Sequence, residues 1–98
     1  MGVLSYDEHE YEHEDRLLAH LQVVISTKLR RGESFFLSWA IDSVEGGGRH
    51  ALWIDNGVTI RFRYAGNTPP AINREWVERL AVAANSNSGL VITDEVLL

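Results

Sequence analysis

Apolar residues recur at three- and four-residue steps between Asp15 and Arg31: Leu17, Leu18, Leu21, Val24, Ile25 and Leu29. That spacing predicts a helix with one buried stripe. Asp15 is the expected N-cap and Gly32 the expected residue just past the C-terminus. Lys28, Arg30 and Arg31 fall in the last turn, where cations complement the helix dipole. A second helix is expected from Asn73 to Asn85, with Asn73 as N-cap and Trp76, Val77, Leu80, Ala83 and Ala84 on its packing face.

Elsewhere the period shortens to two. Phe35, Leu37, Trp39 and Ile41 alternate with Phe36, Ser38, Ala40 and Asp42, which predicts a strand over Glu33 to Asp42. Ser43–Gly48 is a connection ending in three glycines. Arg49 to Tyr64 reads as a β-hairpin around Asp55-Asn56-Gly57. A two-residue Asn-Gly turn pairs Asp55 with Val58, whereas a three-residue loop pairs Ile54 with Val58. The second register puts His50, Leu52, Ile54, Val58, Ile60 and Phe62 on one face and Arg49, Ala51, Trp53, Thr59, Arg61 and Arg63 on the other. It segregates polarity better and is preferred, because burial of one face fixes register. Short strands are expected at Val3 to Tyr6, Tyr11–His13 and Leu90–Thr93, with an acidic turn at Asp7–Glu10. Together these elements predict an α+β domain, with two helices packed on one face of a mainly antiparallel sheet of about four to six strands.

Composition narrows the class. Ninety-eight residues, 45% of them hydrophobic, suffice for a single core over 1–98. It divides into an acidic segment (1–14), a core (15–93) and a short tail (94–98). The absence of cysteine excludes a disulfide framework and cysteine-ligated zinc. No run approaches the ~20 apolar residues of a membrane span, and the N-terminus has neither a secretory nor a myristoylation pattern. The expected compartment is the cytoplasm. The net charge of −5 is uneven, since residues 1–15 carry six carboxylates and no Lys or Arg. An acidic chain is a poor general nucleic-acid binder, but a local basic surface is compatible with this distribution.

Candidate chemistry is sparse. His9-Glu10-Tyr11-Glu12-His13 matches H-E-x-x-H, which in zinc proteases places two histidines on one face of a helix. Here the flanking pattern is turn and strand, so the segment reads as a solvated acidic turn, with His9 and His13 the metal candidates. Gly46-Gly47-Gly48 lacks the following Lys-Ser/Thr of a phosphate loop, and no serine sits in a G-x-S-x-G elbow. Arg30 and Arg31 are phosphate candidates beside the plainer reading of a helix terminus. Trp53 with Arg49, Arg61 and Arg63 on one sheet face is the leading candidate for partner binding, through stacking or an acidic partner. The plainer alternative is a face with arginine stems packed over Trp53, or one covered by a helix, and the two-residue turn would disperse the patch.

The runs Asp15-Arg16-Leu17-Leu18-Ala19-His20-Leu21, Lys28-Leu29-Arg30-Arg31-Gly32-Glu33-Ser34-Phe35, Trp53-Ile54, Asn73-Arg74-Glu75-Trp76 and Ala84-Asn85-Ser86, with Trp39, resemble a family of small actinobacterial proteins of unknown function. The resemblance spans roughly positions 1–93. Some members carry the label ATP-dependent DNA ligase. The adenylation motif K-x-D-G is missing, because Lys28, the only lysine, is followed by Leu29-Arg30-Arg31. The resemblance therefore implies no catalytic residue and no cofactor. The expected function is a non-enzymatic interaction module that binds a protein partner or self-associates. The alternatives are a nucleic-acid accessory protein using the arginines and a small metal-dependent enzyme.

Overall fold

The computed structural model describes residues 1–95. The tail expected at 94–98 therefore lies partly outside the described residues. The chain opens with a hairpin of β1 (Gly2–Tyr6) and β2 (His9–His13). Its turn is two residues long, Tyr6 pairs with His9, and Asp7 and Glu8 have φ of 51° and 65°. Positive φ at both central positions matches the right-handed twist of the strands. Helix α1 (Asp15–Arg30) follows, then β3 (Phe35–Ala40), a single 3-10 turn at Ser43–Glu45, β4 (Arg49–Ile54), β5 (Ile60–Arg63), helix α2 (Arg74–Ala84) and β6 (Leu90–Val91).

The fold class is the expected α+β, but the six strands form two three-stranded sheets. One has the order β2-β1-β5 and the other β4-β3-β6. Every pairing is antiparallel except β3 with β6. This corrects the expected hairpin. Strands β4 and β5 do not pair; β4 pairs with β3, and β5 with β1. Asp55–Val58 is still a turn, closed by the Val58 N–H on the Asp55 carbonyl, but it carries the chain from one sheet to the other. Tertiary bonds hold it there. The Tyr6 hydroxyl donates to the Trp53 carbonyl (2.7 Å) and accepts from the Asp55 N–H (2.9 Å). The Ser34 hydroxyl donates to the Asp55 carboxylate (2.7 Å), and the Asn56 amide donates to the Leu29 carbonyl (3.0 Å) at the end of α1.

Helix α1 ends as expected. Arg31 is the C-cap and Gly32 follows at φ 70°, with its N–H on the Leu29 carbonyl and the Glu33 N–H on the Lys28 carbonyl. That is the Schellman pattern, which favours glycine at the left-handed position. Asp15 is not the N-cap. Glu14 occupies that position without a side-chain bond, because the Asp15 carboxylate accepts from the Ala65 and Gly66 amides across the molecule. Those two bonds hold its pKa below the usual carboxylate value. Asn73 does cap α2, accepting from the Trp76 N–H.

The helices pack on each other, α1 also against β1 and α2 against β3 and β6. Leu4, Leu18, Leu21, Ile25, Leu37, Ile54, Leu80 and Leu90 are fully enclosed between the helices and the inward sheet faces. Lys28 is buried with them, bonded to Asn85 (2.6 Å) and Glu33 (3.2 Å). The only lysine thus ties the C-terminal ends of the two helices together. Among the described residues, no helix is long and apolar enough to cross a membrane.

Candidate functional site

The division into two sheets separates the residues expected to form one patch. Arg49 and Trp53 lie on β4, while Arg61 and Arg63 lie on β5 in the other sheet. The shared Trp53/Arg49/Arg61/Arg63 face is therefore corrected. Arg30 and Arg31 stand apart again, at the end of α1. All five arginines are exposed. Arg61 pairs with Ser5, which pairs with Glu10, and Arg63 pairs with Val3, which pairs with Glu12. Directly paired residues share a face, so this outer face has a basic row on β5 and an acidic row on β2, ~10 Å apart across two strand spacings. Local compensation of this kind weakens any field that could hold a phosphate backbone.

Trp53 has apolar neighbours instead. It pairs with Phe36 on β3, their ring centroids 4.9 Å apart and edge to face. Trp53 is 53% exposed, Phe36 44% and Val91 46%. Pairing sets Ser38, Ala51 and Val91 in the next row of this outer face, then Ala40 and Arg49. The result is an open face with a bulky end (Phe36, Trp53) and, beyond it, small residues (Ser38, Ala40, Ala51) flanked by Val91 and Arg49. Gly89 adjoins the bulky end. Its φ is +80°, and an added Cβ would lie 2.7 Å from the Phe36 Cβ and carbonyl oxygen. Alternation had put Phe36 opposite Phe35, but sequence offered no way to see that nothing covers it.

The opposite, inward face of that sheet meets β2. Trp39 is ringed by Tyr11 (5.2 Å), His13 (4.7 Å) and His50 (5.1 Å), with Tyr11 5.0 Å from His50. The H-E-x-x-H segment therefore forms a strand, not a helix. Residues His9 and His13 are four apart, which separates their Cα atoms by ~13 Å along a strand and denies them a common ion. His9 is exposed, with Nδ1 on the Asp7 carbonyl (2.9 Å). No group of three or more metal-ligating side chains occurs among the described residues. His13 is only 7% exposed, and its Nε2 has no hydrogen-bond partner. Burial, then the nearby His50, lowers the His13 pKa and favours neutral imidazole. An unpaired buried polar group costs about 1–3 kcal/mol, so this atom calls for an explanation. Beside it opens a cleft of about 540 Å³, lined by Tyr11, His13, Trp39, His50 and the acidic residues Glu10, Glu12, Asp42 and Glu45.

A second buried histidine is fully bonded. His20 sits against Trp76 (4.5 Å), with Nδ1 on the Arg16 carbonyl (2.6 Å) and Nε2 accepting from the Asn73 N–H (2.8 Å). Arg16 and Asn73 both bond to Glu95, and the Arg16 bonds, then Asn73, pull the Glu95 pKa down to about 2. These contacts fasten the chain's last described residues across α1 and α2, which gives His20 a structural role. A second hollow, about 450 Å³ and mostly apolar, lies between α1 and the 64–72 loop, with Val23, Tyr64 and Pro69 in its wall.

No curated protein and no solved structure matches the chain. Over residues 1–95 it matches the family model described as a domain of unknown function, DUF7882, and it belongs to that family.

Proposed function

We propose that the protein is a non-enzymatic interaction module that pairs with a second copy of itself through the outer face of the β4-β3-β6 sheet. The observation that carries this is the uncovered Phe36–Trp53–Val91 surface beside a shelf of small residues. A face that is bulky at one end and small at the other is self-complementary about a two-fold axis. Trp53 and Phe36 of each copy can rest on Ser38, Ala40 and Ala51 of the other. Isologous contacts of this kind are the commonest basis of homodimers.

The three exposed apolar side chains offer about 300 Å² per copy, within the range of patches that are often functional on monomers. Two copies together stay below the ~1,200 Å² lower bound of standard stable interfaces. The expected association is therefore weak and reversible, on the order of micromolar. The same reasoning disfavours a nucleic-acid role, since the arginines lie on separate sheets and one pair faces an acidic row.

Sedimentation velocity across a concentration series tests the reading. The wild type should show reversible dimerisation, and Trp53→Ser should remain monomeric. Ala51→Gln, which fills the shelf and leaves Trp53 and Phe36 in the sequence, should also be monomeric. A wild type that stays monomeric through the high micromolar range would remove self-association.

A further inference from the structure

Strand β5 is at the end of its sheet, so among the described residues one of its edges has no partner strand. Register shows which backbone groups lie there. The two-residue turn makes Tyr6 and His9 a hydrogen-bonded pair, so Tyr6 and Leu4 direct their N–H and C=O to β2. Val3 and Ser5 then turn theirs to Arg63 and Arg61. Ile60 and Phe62, the alternate residues of β5, therefore present their N–H and C=O at the open edge.

A trough runs beside that edge. The Asn56 amide on the Leu29 carbonyl (3.0 Å) and the Tyr64 hydroxyl on the Gln22 side-chain carbonyl (2.6 Å) tie both ends of β5 to α1. Along α1 lie the hollow of about 450 Å³ and another of about 300 Å³, the latter walled by Ile25, Leu29, Ile60 and Phe62. Ser26 borders both, so the two form one trough along this flank of α1. The outer face of β5 differs in chemistry. Arg61 and Arg63 are exposed there, and neither takes part in an ion pair among the described residues.

An extended chain answers all three features. As an added strand it takes the free backbone groups of Ile60 and Phe62. Its side chains alternate between the two faces. Those on the inner side reach the trough and are best apolar. Those on the outer side stand opposite Arg61 and Arg63. These are the non-hydrogen-bonded positions, where opposing side chains come closest. A carboxylate there is one strand spacing away, ~5 Å, against ~10 Å for the acidic row on β2. We propose that the β5 edge and the α1 trough bind an extended acidic segment of another protein, in antiparallel register, with an apolar residue opposite Phe62 and a carboxylate on either side of it. A second copy fits less well. Pairing β5 with itself about Phe62 sets Arg61 against Arg63, like charges directly opposite. Strand β2 of a second copy has glutamates, but Glu10 and Glu12 are the residues whose backbone groups face its free edge. Hydrogen-bonding them to Phe62 would put their side chains on the apolar side. This site is in the other sheet from the proposed self-association face, so either reading can fail without the other.

Amide nitrogen-15 spectra of the full chain, titrated with the peptide acetyl-Ser-Val-Glu-Leu-Glu-Val-Ser-amide, test the inference. Saturable binding is expected, with the largest shifts at the Ile60 and Phe62 amides and at Val23 in the trough wall. The same peptide methylated on its leucine nitrogen has no donor for the Phe62 carbonyl and should bind about tenfold more weakly. Arg61→Glu with Arg63→Glu should reverse the preference, losing the glutamate peptide and gaining its lysine counterpart; that gain shows the variant is folded. Trp53→Ser should bind the peptide as the wild type does, which separates this result from the self-association test. No binding through the millimolar range, equal binding of the methylated peptide, or indifference to the charge reversal would overturn the proposal. Shifts at Phe62 that grow with protein concentration in the absence of peptide would also overturn it, by giving the edge to a second copy.

Discussion

Removing the Tyr6 hydroxyl tests the junction between the two sheets. Tyr6 is 6% exposed, and its one oxygen serves two backbone groups of the β4 end, the Trp53 carbonyl and the Asp55 N–H. Tyr6→Phe keeps the ring in the core and leaves both groups without this partner. Two hydrogen bonds at a net 0.5–1.5 kcal/mol each give a loss of about 1–3 kcal/mol. Neither Trp53 nor Asp55 is fully buried, so water reaches these groups in part, and about 2 kcal/mol is the expected value. In a domain of this size each kcal/mol moves the melting temperature by roughly 4–8 °C, so the midpoint should fall by about 8–16 °C. Urea unfolding followed by both circular dichroism and tryptophan fluorescence should give a lower midpoint with an unchanged slope. A loss below about 0.5 kcal/mol would refute the bridge, because that is less than one net hydrogen bond. Had β4 and β5 formed the simple hairpin, Tyr6 would have had no part in the turn, and that small value would be the outcome.

Three further substitutions have a defined sign. Glu8 holds φ 65° in the β1–β2 turn with an exposed side chain; Glu8→Gly should relieve a left-handed strain of about 1–2 kcal/mol, offset by 0.4–1 kcal/mol of unfolded-state entropy, and so raise stability by about 0.5–1 kcal/mol in thermal melts. Gly89→Ala should destabilise by at least about 2 kcal/mol, because the new Cβ meets the Phe36 backbone at 2.7 Å and φ is +80°; a wild-type melt would contradict the packing of β6 on β3. The Glu95 carboxyl is held down to about 2 by Arg16 and Asn73. A folded pKa below the unfolded one stabilises at higher pH, and that stability is lost as pH falls through about 4.5 towards 2. Glu95→Gln should therefore flatten the acid limb of a stability profile over that window, and an unchanged limb would assign acid unfolding to other groups.

Both helices were legible because their signals are local. The apolar stripe from Leu18 to Ile25, the Gly32 terminus and the Asn73 cap each depend on residues within a turn or two. Asp15 shows where local reasoning stops. It is a good cap by type, but the Ala65 and Gly66 amides, 50 and 51 residues away, take its carboxylate. His13 and His20 show the same limit for chemistry. Nothing in sequence distinguishes a buried histidine bonded at both nitrogens from one with a nitrogen unpaired, because the partners of His20 come from α1's own backbone and from Asn73.

The hairpin error has a more general cause. Segregation of polarity predicted the facing of Ile54, Ile60 and Phe62 inward and of Trp53, Arg61 and Arg63 outward; Ile54 is buried, Ile60 and Phe62 are half-buried against the core, and the other three are exposed. Facing is set by period two, but partnering is not. Strands β4 and β5 keep the same alternation whether they pair with each other or with β3 and β1. The choice was made by groups that a period cannot register: a tyrosine hydroxyl able to close the end of β4, a serine and an asparagine that anchor the turn, and the open edge of β1. Trp53 changes meaning with that choice. Paired with β5 it would sit among arginines; paired with β3 it sits on Phe36, in an exposed apolar row.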